Sequence, residues 1–280
     1  MPLPPFPPEV PEAALAALAD RLRGRRVVAL TGAGVSTESG IPDYRSPEAL
    51  ERVRKPIHGP DFARSADVRR RYWARAMAGW ERFGRARPGA AHVALASLEE
   101  RGAVAGVITQ NVDRLHRAAG SRRVVELHGA LAEVVCLACG AVEARDAVQA
   151  RMRCANDRWI DDARLAPDGD AELDDDAAFA PPACLRCEGA LKPRVVFFGD
   201  GVPRAVVDEA FGMLEEAGAL LVAGTSLAVF SGYRFLRRAA ERGIPIAIVN
   251  RGPVRGEAHA ELKVEASTGA VLGELARRLT

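Results

Sequence analysis

Two Cys-x2-Cys pairs, Cys136/Cys139 and Cys184/Cys187, bracket 44 residues in a chain of 280. Two such knuckles bring four thiolates to the corners of a tetrahedron, which is the geometry and the soft ligand set that zinc prefers. Gly140 and Gly189 follow the knuckles closely, where tight turns call for residues without a Cβ. Disulfides or a redox pair are the competing uses of these thiols. Five cysteines in a chain of this length do not make a disulfide scaffold, and the N-terminal stretch does not read as a secretory signal. One structural zinc on the four paired cysteines is therefore expected, in a zinc-ribbon pattern with a longer middle. With every position taken by thiolate, the metal keeps no open site and should fold a module without doing chemistry. Cys154, between the pairs, reads as an ordinary free thiol.

A second group of residues is suited to a nucleotide. The apolar run Arg26–Thr31 leads directly into Gly32-Ala33-Gly34-Val35-Ser36. Glycines at that point let backbone N–H groups approach a pyrophosphate closely. The fingerprint of hydride-transferring dehydrogenases is incomplete, however. Thr37 stands where it wants a third Gly or Ala. About 20 residues on, where an acidic residue would hold the ribose, the chain reads Arg52-Val53-Arg54. A plain tight turn is disfavoured by the continuation Ser39-Gly40-Ile41-Pro42-Asp43-Tyr44-Arg45-Ser46, rich in polar groups and turn formers. Asn111 and Asp113 follow another apolar run, at the strand end where open α/β sheets bind ligands. Either could also cap the helix that follows. His128 follows a third run; histidine ionises near neutral pH, though a lone histidine is usually structural or solvated.

These residues need a scaffold. Glu12–Arg23 has the period of an amphipathic helix. Arg26–Thr31, Val104–Thr109, Val124–Leu127, Ala219–Ala223 and Ile244–Val249 are short and apolar, as buried parallel strands are. Helical patterns at Ala90–Glu100, Val112–Ala119, Arg204–Ala217 and Gly232–Arg242 separate them. Such alternation predicts a parallel sheet with right-handed crossovers. Val195–Phe198 reads as a further buried strand. The cysteine segment interrupts the series between Leu131 and Lys192. The predicted organisation is a discontinuous α/β domain over 12–46, 89–135 and 192–280, a cofactor-loop and helical insertion over 47–88, and a zinc module over 136–191.

Composition narrows the classes. A net charge of +2 gives no electrostatic argument for nucleic acid. Between Glu51 and Arg87 eleven basic residues face four acidic ones, in a helical pattern whose plain reading is a solvated face. Asp161–Asp176 carries eight acidic residues and one arginine, as a solvated insertion would. No run of 18 apolar residues exists, so no membrane partner is expected. Six prolines in Met1–Pro11 read as a loose leader, neither signal nor transit peptide. Reduced cysteines and no signal favour the cytoplasm.

Seven features taken together resemble a sirtuin. They are Thr31–Ser46 (TGAGVSTESGIPDYRS), Thr109–His116 (TQNVDRLH), Glu126–Gly129 (ELHG), the two cysteine pairs, Phe197–Asp200 (FFGD), Gly224–Phe230 (GTSLAVF) and Asn250-Arg251-Gly252. They stand in that family's order and span about residues 12 to 280. The YRS ending, His58–Phe62, Arg71–Arg75, the LAPDGD insertion and Ser231–Phe235 resemble the class II branch. That branch includes the mitochondrial sirtuin with lipoamidase, ADP-ribosyltransferase and acidic-acyl deacylase activities. The resemblance implies a Rossmann-type parallel-sheet domain with an inserted zinc-ribbon module and a helical insertion. It implies an NAD-dependent protein lysine deacylase that consumes NAD as a co-substrate, releases nicotinamide and passes the acyl group from lysine to ADP-ribose.

Roles follow by resemblance. His128 is implied as general base. Asn111 is implied on the ribose and catalytic water, Asp113 on the nicotinamide carboxamide and Gln110 beside the ribose. Gly32, Ala33, Gly34, Ser36, Ile41, Pro42, Asp43, Tyr44 and Arg45 resemble the cofactor loop, with Tyr44 where most members carry Phe. Gly224, Thr225 and Ser226 suit phosphate and ribose, Asn250, Arg251 and Gly252 the adenosine end, and Thr268 the adenine. His116 reads as a structural hydrogen-bonding residue. Val196, Phe197, Phe198 and Gly199, with Leu227–Phe230 opposite, resemble the two banks of a peptide groove that takes acylated lysine as an added strand. Ser231 stands where many sirtuins have proline. Tyr72 and Arg75 form a Y-x-x-R on one helix face. In sirtuins that remove succinyl, malonyl and glutaryl groups, such a pair holds the distal carboxylate. The competing reading makes Arg75 one more solvated arginine. Mono-ADP-ribosyl transfer to protein, lipoamidase or acidic-acyl removal with weak deacetylation, and an NAD sensor without turnover are the alternative functions.

Overall fold

The computed structural model describes residues 10–43, 56–156 and 178–279. Helix α1 (Glu12–Leu22) leads into strand β1 (Val27–Thr31), and α2 (Gly59–Arg64), α3 (Ala66–Gly84) and α4 (Ala90–Glu100) precede β2 (Val104–Thr109). A single turn, α5 (Leu115–Ala118), leads to β3 (Val124–Glu126), β4 (Gly129–Cys136), β5 (Val142–Ala144) and α6 (Arg145–Ala155). Strand β6 (Leu191–Val195) is followed by α7 (Arg204–Glu215), β7 (Ala219–Ala223), α8 (Phe230–Glu241), β8 (Ile246–Val249), β9 (Leu262–Val264) and α9 (Thr268–Arg278).

Six strands pair in parallel in the order β3-β2-β1-β7-β8-β9. Every residue of β1 and β7 is buried, which explains their unbroken apolar sequences. Alternate side chains serve opposite faces. Val27 and Ala29 pack with Leu18, Leu95, Leu98 and Leu272 from α1, α4 and α9. Val28 and Leu30 pack with Met213, Leu214, Phe235 and Leu236 from α7 and α8. The sheet is thus covered on both sides, as a doubly wound Rossmann-type domain requires.

A smaller antiparallel sheet, β5-β4-β6, carries the cysteines. It shares one core with the helical insertion: Phe62, Tyr72 and Trp73 pack with Val134, Val148, Met152 and Leu191. Trp73 donates its indole N–H to the Leu191 carbonyl at 3.0 Å. The buried Arg145 guanidinium lies 4.7 Å from the Trp80 ring centre and donates to the Ala76 carbonyl at 2.9 Å. The two insertions therefore brace each other.

Two local expectations change. The helix expected over Val112–Ala119 shrinks to Leu115–Ala118. The Asp113 carboxylate takes the Leu115 N–H at 2.9 Å and Arg114 adopts φ 62°, so 111–114 remain a loop. The strand expected over Val195–Phe198 lies earlier, at Leu191–Val195. Asp200 closes a turn after it, its N–H on the Phe197 carbonyl and its carboxylate accepting the Phe197 N–H. The β9 edge strand and the charged helix α6 carry no apolar run and had no sequence signal. Among the described residues no helix is long and apolar enough to cross a membrane.

Candidate active site

The nucleotide-type residues gather at one edge of the parallel sheet. Each follows the C-terminal end of a strand: Gly32–Asp43 after β1, Gln110–Asp113 after β2, His128 after β3, Gly224–Ser226 after β7, Asn250–Gly252 after β8 and Thr268 after β9. Strand order reverses between β1 and β7, because the chain steps outward to β2 and β3 on one side and to β8 and β9 on the other. Ligands of open α/β sheets bind in the crevice at such a switch point. The two central loops touch backbone to backbone there. Gly34 N–H donates to the Gly224 carbonyl at 2.8 Å, and a Cβ on Gly34 would meet Gly224 Cα at 2.9 Å. Gly224 also has φ +61°, so neither position accepts a side chain without a shift.

Hydrogen bonds fix the polar groups. Asn111 Nδ2 donates to the Gly32 carbonyl at 3.1 Å and to Ser36 Oγ at 3.0 Å. Ser36 in turn donates to Asp113 Oδ2 at 2.6 Å. Gln110 Nε2 bridges the Thr31 carbonyl at 3.2 Å and Thr225 Oγ1 at 2.9 Å. Asn250 turns its own loop by donating to the carbonyls of Arg251 and Gly252, and Thr268 Oγ1 donates to the Gly34 carbonyl at 3.2 Å. Ile41 is buried and Pro42 and Asp43 are half-buried beside this cluster, while Tyr44 and Arg45 lie outside the described residues.

His128 is half-buried with both ring nitrogens engaged. Nδ1 lies 2.8 Å from the Gln110 carbonyl, which can only accept, so Nδ1 carries the proton. Nε2 keeps its lone pair and accepts from Ser231 Oγ at 2.8 Å. Burial holds the imidazole below its ordinary range; the Gln110 carbonyl opposes this, and the Arg234 charge reinforces it. The ring is therefore a neutral base at pH 7.

The four paired cysteines meet as expected. Their sulfurs lie within 4.8 Å of one another, with 3.5 Å between Cys136 and Cys187 and 3.7 Å between Cys139 and Cys184. Bond lengths of about 2.3 Å to a tetrahedral zinc give sulfur spacings of about 3.8 Å. The N–H groups of Ala138 and Arg186 point at Cys136 and Cys184 at 3.4 Å. A Cβ on Gly189 would press on Cys136 Sγ at 3.0 Å, so the knuckle needs glycine there. The Cys139 and Ala138 N–H groups pull Cys136 down to about 6. The Gly189 N–H favours the Cys187 thiolate, yet the Cys139 and Cys136 sulfurs hold Cys187 up at about 12. Four sulfurs this close ionise together only when a cation joins them, so the donor set fits zinc.

The sequence agrees with the fold. The Sir2 family model matches residues 32–231. The chain belongs to the Sir2 family. It is 48% identical over 265 residues to NAD-dependent protein deacetylase 1 of Mycobacterium avium (strain 104), covering 92% of this chain and 93% of that protein. It is 47% identical over 254 residues to the NAD-dependent protein lipoamidase sirtuin-4, mitochondrial, of Bos taurus, covering 89% and 81%. A solved Sir2 complex with a p53 peptide and NAD+ superposes with a TM-score of 0.76 at 31% identity, covering 95% of this chain and 96% of that one.

In this Sir2 chain the two segments expected to bank a peptide groove each touch His128. Val196 N–H donates to the His128 carbonyl at 2.9 Å, and Ser231 opens the opposite segment into α8. Phe198 and Phe230 remain 48% and 47% exposed, unusual for phenylalanine. Phe197 instead turns inward against Phe62 and Tyr72, with ring centres 5.2 and 5.5 Å apart. Gly199 has φ +83°. Tyr72 and Arg75 do share a helix, but not one cavity wall. Tyr72 is buried among those aromatic rings. Arg75 lines a cavity of about 310 Å³ with Arg71, His58, Asp61 and Val68.

Sequence reasoning missed His92 as a support of this Sir2 site, whereas His116 makes a structural hydrogen bond of the kind expected. His92 accepts the Gly89 N–H on Nδ1 at 3.2 Å, so its protonated Nε2 faces Ser36 Oγ at 3.4 Å. The His116 ring centre lies 4.7 Å from that of His92, and Nε2 of His116 is 2.9 Å from Thr31 Oγ1. Only the polar character of His92 inside an apolar helix pattern pointed to it. Ser231 carried a signal only as a departure from proline.

Proposed function

We propose that this Sir2 chain is an NAD-dependent protein lysine deacylase that moves the acyl group from lysine to ADP-ribose and releases nicotinamide. The observation that carries the reading is the single tautomer of His128, whose Nε2 carries a lone pair, held by the Ser231 hydroxyl, beside the switch-point crevice. Gly32–Gly34, Gln110–Asp113 and Gly224–Ser226, which resemble cofactor residues, follow strand ends at that same crevice, and the fold resembles that of a Sir2 enzyme solved with NAD+ and a peptide.

NAD supplies the ribose carbon that accepts the acyl oxygen and the nicotinamide that leaves. The backbone loops at Gly32–Gly34 and Gly224–Ser226 would take the phosphates, Asn250–Gly252 and Thr268 the adenosine, and Asn111, Asp113 and Gln110 the nicotinamide ribose. Each of those three polar side chains is already oriented by Ser36, Thr225 or main chain, which lowers the reorganisation needed on binding. His128 takes the proton of a ribose hydroxyl at Nε2 while the Gln110 carbonyl holds Nδ1–H and stabilises the cation that forms. Ser231 has to give up its hydrogen bond to Nε2 before that transfer. Zinc stays on Cys136, Cys139, Cys184 and Cys187 as a folding element, and the cytoplasm, which keeps thiols reduced, suits it. The division into a nucleotide domain (12–46, 89–135, 192–280), a helical insertion (47–88) and a zinc module (136–191) accords with these roles.

Arg71 and Arg75 at the 310 Å³ cavity, together with the sirtuin-4 lipoamidase relative, favour a second reading of the same chemistry: removal of long or carboxylate-bearing acyl groups. Nicotinamide release measured with NAD alone, with acetyl-lysine peptide and with glutaryl-lysine peptide tests the proposal. Deacylation requires release that depends on an acyl-lysine peptide. Release without one points to ADP-ribosyl transfer or hydrolysis, and no release in any arm points to a sensor.

A further inference from the structure

The lip of the groove beside His128 is strongly cationic. Phe230, 47% exposed, opens helix α8. Arg234 and Arg237, four and seven residues further along one helix stripe, hold their guanidinium carbons 5.3 and 5.6 Å from the Phe230 ring centre. Arg255 lies 4.2 Å over the Tyr233 ring one residue away and donates to the Ala228 carbonyl at 3.3 Å. The three guanidiniums therefore flank the segment Ala228–Tyr233, whose Ser231 touches His128.

Their charges are poorly offset by the protein. Among the described residues no carboxylate lies within ion-pair distance of Arg234 or Arg255, and the buried Arg234 Nε has no hydrogen-bond acceptor. Arg237 pairs only loosely, at 3.4 Å with Glu241. Arg238, turned away on the same helix, is by contrast bound to Glu215 at 2.7 Å. Aromatic rings under a guanidinium hold it in place without neutralising it, leaving its N–H edge for an anion. The proximity of Arg234 is also felt by His128, whose protonation it opposes.

We infer that Arg234, Arg237 and Arg255 form a specificity lip that selects acyl-lysine sites flanked by aspartate or glutamate. The inference rests on the deacylase reading and adds the sequence context of its substrates. An acidic side chain next to the acyl-lysine would pass along Phe230 and meet two or three pre-set guanidiniums.

The test measures fluorescence anisotropy of three labelled acetyl-lysine peptides, flanked by Glu, by Ala or by Lys. Acetyl carries no carboxylate, so an effect of the flanks is separate from any effect of the acyl group. Binding should follow Glu, then Ala, then Lys, with Glu over Ala by about threefold to tenfold at low salt, the range that a few partly exposed ion pairs supply. The preference should shrink at 0.5 M salt, taken as about three times the physiological ionic strength. It should fall towards unity in Arg234→Met/Arg237→Met and in Arg255→Met, persist in Arg234→Lys, and persist in Arg204→Met, an exposed arginine on α7. Equal binding of the Glu and Ala peptides by the wild type overturns the lip, as does a ratio unchanged in the Met variants. A drop in Arg204→Met equal to that in the lip variants also overturns it, because bulk charge then explains the effect. If no peptide binds and no acyl-dependent nicotinamide release occurs, the deacylase reading fails and the lip with it. Binding without discrimination removes the lip alone.

Discussion

Ser231 Oγ donates to Nε2 of His128 at 2.8 Å, across 103 residues of sequence. The nitrogen that has to accept a substrate proton is thus already occupied by a hydroxyl. Replacing His128 with Ala should lower deacylation about 10²–10⁴-fold, the usual worth of a general base, with fold and NAD affinity retained. Steady-state assays with calorimetric NAD titration check this. Near-wild-type turnover by the purified variant would remove His128 from the mechanism.

The burial of His128 sets a pH dependence. Burial lowers the His128 pKa, so the ring stays neutral and active below the ordinary imidazole range. The acid limb of kcat/KM should fall below about 6.5, where an unperturbed histidine would place it. The Ser231 hydroxyl favours the neutral ring, so Ser231→Ala should move the acid limb to higher pH. A wild-type limb at or above the ordinary value, or a Ser231→Ala limb that moves down, would contradict this.

His116 makes a prediction about stability. It is buried, its pKa is lowered to about 3 by desolvation first and by His92 second, and it is neutral in the native state. Below about 6.5 the unfolded chain takes up a proton that the native chain refuses. The stability linked to this site is therefore fully present above about 6.5 and is lost as pH falls towards about 3, at up to about 1.4 kcal/mol per pH unit. His92 is shifted in the same direction, also chiefly by burial. Urea midpoints at pH 7 and pH 5, above the main carboxylate range, should differ measurably, with a shallower slope in His116→Gln. Equal midpoints would refute it.

Zinc should be present at one per chain, and Cys184→Ser or a strong chelator should remove it and unfold the module. Activity should fall with it by an indirect route. Strand β6 pairs with β4 near Cys136, and its continuation, Val196, holds the His128 carbonyl. Metal analysis paired with activity is the check; sub-stoichiometric zinc in fully active protein would defeat the assignment.

Arg75 lines the 310 Å³ cavity, so Arg75→Met should lower the ratio of glutaryl to acetyl kcat/KM by about tenfold, the worth of a partly buried charge-assisted hydrogen bond. An unchanged ratio would make Arg75 a solvated arginine and leave the cavity unused for carboxylates.

Much of the molecule was legible because burial on both faces writes itself into sequence. Strands β1, β2 and β7 are unbroken apolar runs for that reason, and the cysteine spacing carried its own geometry. Strand β4 was harder, since it is only half-buried and ends in a cysteine knuckle, and α6 presents mostly charge. The helix at Val112 was over-extended because its apolar period continues through a loop whose backbone is captured by Asp113. The contacts that tune the site were not local signals at all: Ser231 on His128, His92 on Ser36 and Gln110 on Thr225 link residues 56 to 115 positions apart. Tyr72 and Arg75 have the helical spacing expected of them, and of the two only Arg75 lines the described cavity.

The most direct test of the central claim is product analysis by mass spectrometry, with wild-type protein, NAD and an acetyl-lysine peptide. The expected result is free lysine peptide, nicotinamide and O-acetyl-ADP-ribose in equal amounts, with none of the three formed when NAD is omitted. Unmodified acetyl-peptide, or ADP-ribose found on protein with no acetyl-ADP-ribose, would contradict it.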